Sequence, residues 1–203
     1  MKPVIIIPAY NPPKSFISLL QNVRSITSIP IIIIDDGSIP IIDSEDNNTI
    51  LLRNKNNSGK GFSLLRGFKE ALDRGYSHAI TMDADSQHDP NILQSFIEIN
   101  ENISIVLGNR QFNTNMPLHR RISNKLTSSV ISYICHEQIL DSQCGYRRYK
   151  LDNVCSEKYM EHGFQFESEV LIKLLCNNCT LHHIEIPTIY AQEKSSMNNI
   201  SDT

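Results

Sequence analysis

Two aspartates follow a short apolar segment with one residue between them, in the sequence Asp83-Ala-Asp85-Ser-Gln87-His. The preceding residues 79–82 predict a buried strand that ends at Asp83. Side chains alternate along an extended chain, so Asp83, Asp85 and Gln87 point to the same side. Their oxygens suit Mg²⁺ or Mn²⁺, ions that take one or two carboxylates and complete their shell with water and substrate phosphates. The segment predicts a metal-bridged nucleotide diphosphate site; the alternative is a polar turn capping a helix at Asp89-Pro90.

Four short segments rich in β-branched residues predict strands that are buried on both faces, as in a parallel sheet. These segments are Val4–Ile7, Ile31–Ile34, Ala79–Met82 and Ile103–Leu107. Apolar residues at helical spacing predict helices over residues 15–26, 61–74, 90–100, 120–135 and 166–176. Residues 141–150 are typical of a loop, and Leu181–Tyr190 of a strand or extended chain. The alternation indicates an α/β, doubly wound, mostly parallel sheet with helices on both faces.

Polar side chains follow each of the four predicted strands. They are Tyr10-Asn11, Asp35-Asp36-Gly37-Ser38, Asp83 with Asp85, and Gly108-Asn109-Arg110. Ligands of open α/β sheets bind just beyond the carboxyl ends of the strands. Four independent polar clusters at such ends are harder to explain as solvated turns than any one of them, and they predict one shared binding site.

The composition is that of an ordinary globular protein with a single domain. The chain has 203 residues, of which 40% are hydrophobic and 20% charged. A net charge of −3 gives no reason to expect nucleic acid as a partner. Five cysteines without a framework spacing are expected to be reduced thiols. No apolar stretch is long enough to cross a bilayer and no signal-peptide layout is present, so we expect a cytoplasmic protein.

Glycines and basic residues supply candidates for phosphate binding. Gly59-Lys60-Gly61 precedes the second predicted helix and offers backbone N–H groups to a phosphate, or else it is a flexible turn. Basic residues concentrate in the second half of the chain, and arginine matches phosphate oxygens with two parallel hydrogen bonds. They are Arg110, Arg120, Arg121, Lys125, Arg147 and Arg148, of which Lys125 and Arg148 are more typical of a solvated basic face.

Eight motifs occur in an order that resembles family 2 glycosyltransferases, in the branch of dolichyl-phosphate mannose synthases and bactoprenol glucosyltransferases. They are Val4-Ile-Ile-Ile-Pro-Ala-Tyr-Asn11, Ile34-Asp-Asp-Gly-Ser38, Asn57-Ser-Gly-Lys-Gly61, Asp83-Ala-Asp-Ser-Gln-His88, Gly108-Asn-Arg110, Arg121-Ile-Ser-Asn124, Asp141-Ser-Gln-Cys-Gly-Tyr-Arg147 and Phe164-Gln-Phe-Glu-Ser-Glu169. Ile186–Tyr190 with Ser195–Asn198 resembles the end of that domain. The resemblance implies one Rossmann-like GT-A domain over residues 1–203. Residues 1–110 would bind nucleotide sugar and metal, residues 111–190 the acceptor, and residues 191–203 would form a polar tail.

The resemblance also implies roles for individual residues. It places Pro8, Tyr10, Asn11, Asp36, Lys60 and Asp83 at the nucleotide, and Asp83, Asp85 and Gln87 around Mg²⁺ or Mn²⁺. It places Arg110 and Arg121 at phosphate groups during catalysis, and Arg120, Arg121 and Arg147 at the phosphate of the acceptor. Pro12 departs from the acidic residue that mannose synthases carry after the Tyr-Asn pair, which leaves the nucleotide open between GDP and UDP.

The resemblance implies inverting transfer of a sugar from a nucleotide diphosphate sugar to a polyprenyl phosphate. Such an acceptor needs no general base, because its second pKa lies near ~6 and it is already anionic at neutral pH. The alternative acceptor is a saccharide hydroxyl in surface-polysaccharide or glycolipid assembly, which requires a base. Asp141 is the first candidate for this base and Glu167 the second. Otherwise, Asp141 holds the surrounding loop and Glu167 stabilises a helix N-terminus.

Alternative interpretations concern how the protein reaches a membrane lipid and to which class of protein it belongs. Many bactoprenol-type relatives continue into transmembrane helices, so a lipid acceptor would require a membrane-anchoring partner subunit or peripheral contact with the inner face of the membrane. A nucleotidyltransferase also uses Asp-x-Asp on a doubly wound sheet, but the Asp35–Ser38 motif and the 141–147 loop argue against it. A non-catalytic nucleotide-binding subunit is disfavoured by the intact set of Asp83, Asp85 and Gln87.

Overall fold

The computed structural model describes residues 1–44, 46–110 and 118–187, and most of these residues belong to one layered α/β unit. The strands are β1 (Pro3–Ala9), β2 (Ile31–Asp35), β3 (Thr49–Arg53), β4 (His78–Thr81), β5 (Ile105–Arg110), β6 (Arg147–Lys150) and β7 (Leu181–Ile186). The helices are α1 (Ser15–Ile26), α2 (Lys60–Asp73), α3 (Leu93–Glu98), α4 (Leu118–Cys135), α5 (Leu151–Ser156) and α6 (Phe166–Cys176), with a 3₁₀ turn over Pro90–Ile92. These seven strands form one sheet in the order β3-β2-β1-β4-β6-β5-β7.

Parallel pairing brings the carboxyl ends of most strands to one edge of the sheet. β1 pairs in parallel with β2 and β4, β2 with β3, and β5 with β7. The short strand β6 is antiparallel to both of its neighbours, β4 and β5. An antiparallel strand begins where its neighbours end, so the loop before β6 lies at the same edge as the residues that follow β4 and β5.

Both faces of the sheet are covered by helices. Successive strand residues point to opposite faces, and each face has its own core. On one face Ile6 and Ile34 belong to the core that includes Phe68 of α2. On the other, Ile7 belongs to the core that includes Phe16 of α1 and Phe96 of α3. This arrangement confirms the predicted doubly wound, mostly parallel α/β fold.

The sequence pattern does not predict two of the strands. β3 lies at the edge of the sheet and is only half-buried, and its apolar run is limited to Ile50–Leu52. β6 falls inside the segment 141–150 that we predict to be a loop, because its residues are Arg, Arg, Tyr and Lys. The predicted helix over residues 90–100 is a 3₁₀ turn followed by the short α3, in which Asp89 accepts a hydrogen bond from the Asn91 N–H.

Arg148 of β6 is buried rather than part of a solvated basic face, which corrects the prediction for this residue. Its guanidinium donates to the carbonyl oxygens of Phe96 at 2.8 Å, Ile99 at 2.6 Å and Asn100 at 2.8 Å. These carbonyls lie at the end of α3, where the backbone lacks helical partners. Arg148 therefore anchors the end of α3 to the middle of the sheet.

We expect Arg148→Met to lower the free energy of unfolding by about 2–4 kcal/mol, since it keeps the buried bulk but leaves several carbonyls without donors. Urea unfolding followed by circular dichroism measures this loss. Arg74→Met is the matched control, because Arg74 is exposed and pairs with Glu70 one turn away, so its loss should stay within about 0.5 kcal/mol. Equal losses in the two variants would contradict the anchoring role of Arg148.

Candidate active site

Lys60 joins three elements at the carboxyl edge of the sheet. It opens α2, and its Nζ lies 2.7 Å from Asp83 Oδ1 after β4 and 3.0 Å from Glu167 Oε2 in the first turn of α6. Burial disfavours the charge on Lys60, but the two carboxylates outweigh burial and raise its pKa. Burial likewise disfavours the charge on Asp83, yet Lys60 and other cations hold the pKa of Asp83 well below its usual range. Lys60 and Asp83 are therefore both charged at neutral pH.

Asp85 is the second carboxylate of the predicted metal pair. Burial and the negative charge of Asp83 raise the pKa of Asp85 to about 6. Its Oδ1 accepts a hydrogen bond from the Gln87 backbone N–H at 3.0 Å. Two neighbouring carboxylates that repel one another are stabilised by a divalent cation, and their oxygens are the ligands that Mg²⁺ and Mn²⁺ prefer. The donor set present at Asp83 and Asp85 thus fits such an ion.

His88 is a site residue whose role the sequence does not predict. Its Nδ1 accepts a hydrogen bond from the Asp83 backbone N–H at 3.1 Å, and its ring stacks on Tyr146 with centroids 4.9 Å apart. Burial outweighs the attraction of Asp83 and lowers the pKa of His88 to about 4, so the ring is neutral. Because Nδ1 accepts, the proton is on Nε2, which lies 3.7 Å from Asp83 Oδ2. His88 therefore fixes the backbone of Asp83 through this hydrogen bond, and its Nε2 faces the Asp83 carboxylate beyond hydrogen-bond distance.

Asp141 holds Arg110, the basic residue at the end of β5. Arg110 Nε lies 2.7 Å from Asp141 Oδ2 and its second terminal nitrogen 3.0 Å from Oδ1. Asn124 of α4 and the Gln143 backbone N–H also donate to Asp141, at 2.8 and 3.2 Å. Burial works to raise the pKa of Asp141, but the bonds from Arg110 and Asn124 outweigh burial and lower it. This fully buried, fully bonded carboxylate favours the loop-holding alternative over a general base.

Glu167, the second candidate for the base, is also engaged. It is buried, and its Oε2 accepts the ion pair from Lys60. Its Oε1 has no hydrogen-bond partner among the described residues and lies 3.9 Å from Arg147 Nε. Glu167 therefore holds Lys60 through Oε2, and its Oε1 is buried without a hydrogen-bond partner among the described residues.

Arg147 does not reach an acceptor phosphate, which corrects the role implied by the resemblance. The residue is fully buried at the start of β6. Its guanidinium donates to the carbonyl oxygens of Cys144 at 2.6 Å, Ser142 at 2.7 Å and Glu167 at 2.9 Å. These contacts fix the 141–147 loop against α6, which is a structural role.

The two aspartates at the end of β2 are held within the protein. Asp35 is fully buried and accepts from the Ser38 backbone N–H at 2.8 Å and from Arg53. Asp36 accepts from Asn54 Nδ2 at 2.6 Å and from the Gly59 backbone N–H at 2.8 Å. Asp36 thus holds the loop before α2, and most of its bonding capacity is used within the protein.

The glycines at the start of α2 do not cradle a phosphate, so that expectation is wrong. The backbone N–H groups of Gly61 and Phe62 both donate to the His162 carbonyl oxygen, at 2.8 and 3.2 Å. A Cβ on Gly61 would lie 2.5 Å from Cβ of Phe166. Glycine is required here because α2 packs tightly against the segment that leads into α6. Of the three residues, Lys60 alone reaches the candidate site through its side chain.

The remaining nucleotide candidates lie within β1 or directly after it. Tyr10 is half-exposed, and its ring is accessible for stacking on a nucleoside base. Asn11 has a structural role as well: its backbone N–H donates to Ser38 Oγ at 2.9 Å and its Oδ1 accepts from the Ile39 N–H at 2.8 Å. Asn11 therefore links the loops that follow β1 and β2. Pro8, within β1, is partly buried.

Several predicted acceptor residues lie at or beyond the limits of the described structure. Arg121 is half-buried near the start of α4, one turn before Asn124. The described structure excludes the side chain of Arg120, residues 111–117 and residues 188–203. The last of these ranges includes Tyr190 and the Ser195–Asn198 segment. Among the described helices, none is long and apolar enough to cross a membrane.

Comparisons with known proteins define the family. The sequence profile of Glycosyl transferase family 2 matches residues 4–153, and the chain therefore belongs to glycosyltransferase family 2. It is 29% identical to a UDP-N-acetylglucosamine–dolichyl-phosphate N-acetylglucosaminyltransferase of Methanococcus voltae, over 93% of this chain and 86% of the relative. It is 22% identical to a polyprenol monophosphomannose synthase of Mycolicibacterium smegmatis, over 98% and 80%. These names match the branch that the motifs resemble.

A solved structure confirms the GT-A fold. Glucosyl-3-phosphoglycerate synthase from Mycobacterium tuberculosis, crystallised with Mn²⁺, UDP and phosphoglyceric acid, superposes with a TM-score of 0.73. The match covers 96% of this chain and 72% of that protein, at 14% sequence identity. At this identity the likeness concerns the fold.

We expect Asp141→Asn to lower the free energy of unfolding at pH 7 by about 2–4 kcal/mol, because it leaves Arg110 without its charged partner. The pKa of Asp141 lies below that of an unfolded aspartate, near ~3.9, so the wild-type advantage is complete above that pH and shrinks as pH falls below it. Urea unfolding at pH 7 and pH 3.5 measures both effects. The control is Asp73→Asn, which changes an exposed carboxylate on α2 and should leave stability unchanged. Unchanged stability together with lost turnover in Asp141→Asn would instead identify Asp141 as a general base.

Proposed function

We propose that this protein is a metal-dependent, inverting glycosyltransferase that moves a sugar from a GDP- or UDP-linked donor to a polyprenyl phosphate. The names of its relatives support this acceptor, since they describe enzymes that act on dolichyl or undecaprenyl phosphate. The ion pairs at the carboxyl edge of the sheet support a phosphate-binding reaction centre.

The observation that carries the proposal is the engagement of the candidate bases. Asp141 is bonded on both oxygens, and Asp83 and Glu167 share the ammonium of Lys60. A saccharide hydroxyl would need one of these carboxylates to take its proton in the transition state. A phosphate monoester is already an anion near neutral pH and attacks without proton transfer. The site therefore suits an acceptor that brings its own charge.

Asp83 and Asp85, with Gln87 beside them, are the residues that would hold Mg²⁺ or Mn²⁺. Among the described carboxylates of the site, Asp85 has no ion-pair partner, which fits an added cation. When bound, such an ion neutralises charge that develops on the leaving diphosphate. The mutual repulsion of the two aspartates favours binding of the ion.

The chain's own cations hold the anionic groups in place. Lys60 and Arg110 both lie at the carboxyl edge, and each is fixed by carboxylates before any substrate arrives. Fixed cations that face the developing negative charge stabilise the transition state without reorganising. Asp141 and His88 are positioning residues, since they act through Arg110 and Asp83. Tyr10 covers the nucleoside end of the site, and Arg121 supplies further positive charge from α4.

We expect calorimetry to show that UDP or GDP binds with Mn²⁺ and at least about tenfold more weakly without it, because the ion, held by Asp83 and Asp85, would offset the negative charge of the diphosphate. Asp85→Ala should abolish this metal dependence while leaving the fold intact. Asp73→Ala removes an exposed carboxylate far along α2 and should leave binding unchanged. Metal-dependent binding that persists in Asp85→Ala would refute the assignment of Asp85.

The same titration has a defined pH dependence. Protonated Asp85 must lose its proton to bind metal, so the affinity should rise about tenfold per pH unit below about 6 and level off above it. The terminal phosphate of a free nucleoside diphosphate also titrates near ~6, so the titration uses a nucleoside diphosphate sugar, which lacks that terminal phosphate group. Affinity that is independent of pH between about 5 and 7 would contradict the role of Asp85.

The acceptor is tested by transfer of a labelled sugar to a polyprenyl phosphate and to the matching polyprenol, which lacks only the phosphate. We expect product with the phosphate alone, since the two candidate bases, Asp141 and Glu167, are engaged in ion pairs and are not free to deprotonate the alcohol. Thin-layer chromatography of the labelled lipid measures both reactions, with the nucleotide identified by calorimetry as the donor. Comparable rates with the two acceptors would contradict the proposed function.

A further inference from the structure

Helix α4 carries large apolar side chains on its exposed face. Ile122, Leu126 and Val130 follow one another at four-residue intervals and are 58%, 65% and 50% exposed. Tyr133 lies on the same side of the helix and is 82% exposed. These four residues, the α4 band, run along about three helical turns. A contiguous apolar patch of this kind marks an interaction surface, unlike apolar side chains that are exposed singly.

The other face of α4 already has its partner within the fold. Asn124, Ser128 and Ile131 are buried, and α4 packs against α6. A surface helix of a globular protein normally has one apolar stripe, which faces the core, and a polar outer side. α4 has an additional apolar side, so the band is not explained by folding of the described residues.

The charge of α4 differs from that of the whole chain. The helix contains no aspartate or glutamate, whereas Arg120, Arg121 and Lys125 lie in its first half. Lys125 is exposed next to Leu126, and the first acidic residue after the helix is Glu137, beyond the far end of the band. The chain as a whole carries a formal charge of −3. Positive charge and exposed apolar surface are thus concentrated on the same helix.

We propose that the α4 band and the exposed Lys125 beside it bind the surface of an anionic lipid bilayer. A helix of this composition lies in the plane of the interface, with its apolar side chains at the acyl boundary and its lysines and arginines at the phosphate headgroups. A symmetric contact between two copies would instead bring the same basic residues of both helices together, because such contacts are self-complementary. Charge therefore favours anionic lipid as the occupant.

The inference rests on the proposed function and adds the surface by which the enzyme reaches a membrane-bound acceptor. Asn124, on the buried side of α4, donates to Asp141, which holds Arg110. A single helix, about 10 Å across, thus lies between the α4 band and the contacts that position this arginine. An acceptor phosphate at the headgroup level has a short path to the site.

Flotation of the full chain with lipid vesicles tests the surface directly. We expect binding to vesicles that contain phosphatidylglycerol, and much weaker binding to pure phosphatidylcholine. Leu126→Glu should reduce the binding at least about tenfold, since it removes apolar contact and adds repulsion. Lys125→Glu should reduce it about fivefold or more, and high salt should weaken the wild type.

Matched controls separate this surface from general effects of charge. Ile17→Glu replaces an apolar side chain that is 66% exposed on α1, and Lys69→Glu reverses an exposed lysine on α2. Both should float like the wild type. Failure of the wild type to bind anionic vesicles, or equal losses in Leu126→Glu and Ile17→Glu, would overturn the proposal. If the wild type does not bind vesicles but forms a dimer in light scattering, and Leu126→Glu is monomeric, the proposal is overturned in favour of a contact between two copies of the chain.

Measuring nucleotide binding in the same variants distinguishes a failure of the membrane-binding surface from a failure of the proposed function. Leu126 is exposed on the side of α4 that faces away from the buried Asn124, so Leu126→Glu should bind Mn²⁺ and nucleotide with wild-type affinity. Vesicle binding without any nucleotide binding would support the surface and count against the proposed function. Nucleotide binding without vesicle binding would do the reverse.

Discussion

The site depends on one largely enclosed ammonium that lies between two carboxylates. Lys60 pairs with Asp83 and Glu167, and through them the start of α2, the end of β4 and the start of α6 are held together. Removing one partner of such a pair leaves the other charge uncompensated, so each of the three elements constrains the position of the other two. Neighbouring pairs continue it through Arg147 and Arg110. Among the described residues, this chain of pairs leaves the carboxylate of Asp85 without a cation, at the point where the proposed metal would add one.

The antiparallel strand β6 explains how the second half of the chain reaches this centre. Because β6 runs against β4 and β5, the loop that precedes it lies at their carboxyl ends. Gly145 in this loop approaches Asp83 so closely that a Cβ would lie 2.5 Å from its Oδ2. The Gly145 carbonyl oxygen accepts from Thr81 Oγ1 at 2.7 Å, which fixes the loop to β4. One reversed strand therefore brings Asp141, and with it Arg110, beside the aspartate pair.

The sequence predicts those elements whose structure is decided by a local pattern of residues, and it does not predict those that depend on contacts with distant residues. The apolar runs before Asp83 and Arg110 predict strands, and their polar ends meet because parallel strands share one carboxyl edge. The strand β6 was beyond prediction, since burial of its two arginines depends on carbonyl oxygens up to 52 residues away. The alternatives for Asp141 could not be separated either, because a base and a loop-holding residue differ only in the partners that tertiary structure supplies. His88 was overlooked for the same reason.

The arginines show how the fold divides structural from functional charge. Arg147 and Arg148 are adjacent in an extended strand and so point to opposite faces, where each is buried among carbonyl oxygens. Neither can reach a substrate. Arg110 has a partly exposed guanidinium at the strand end, held on one side by Asp141, and Lys60 is held in the same way by Asp83 and Glu167. Side chains fixed in advance lose little conformational entropy when an anion binds, so this pair of cations is better suited to a phosphate than a larger number of mobile ones.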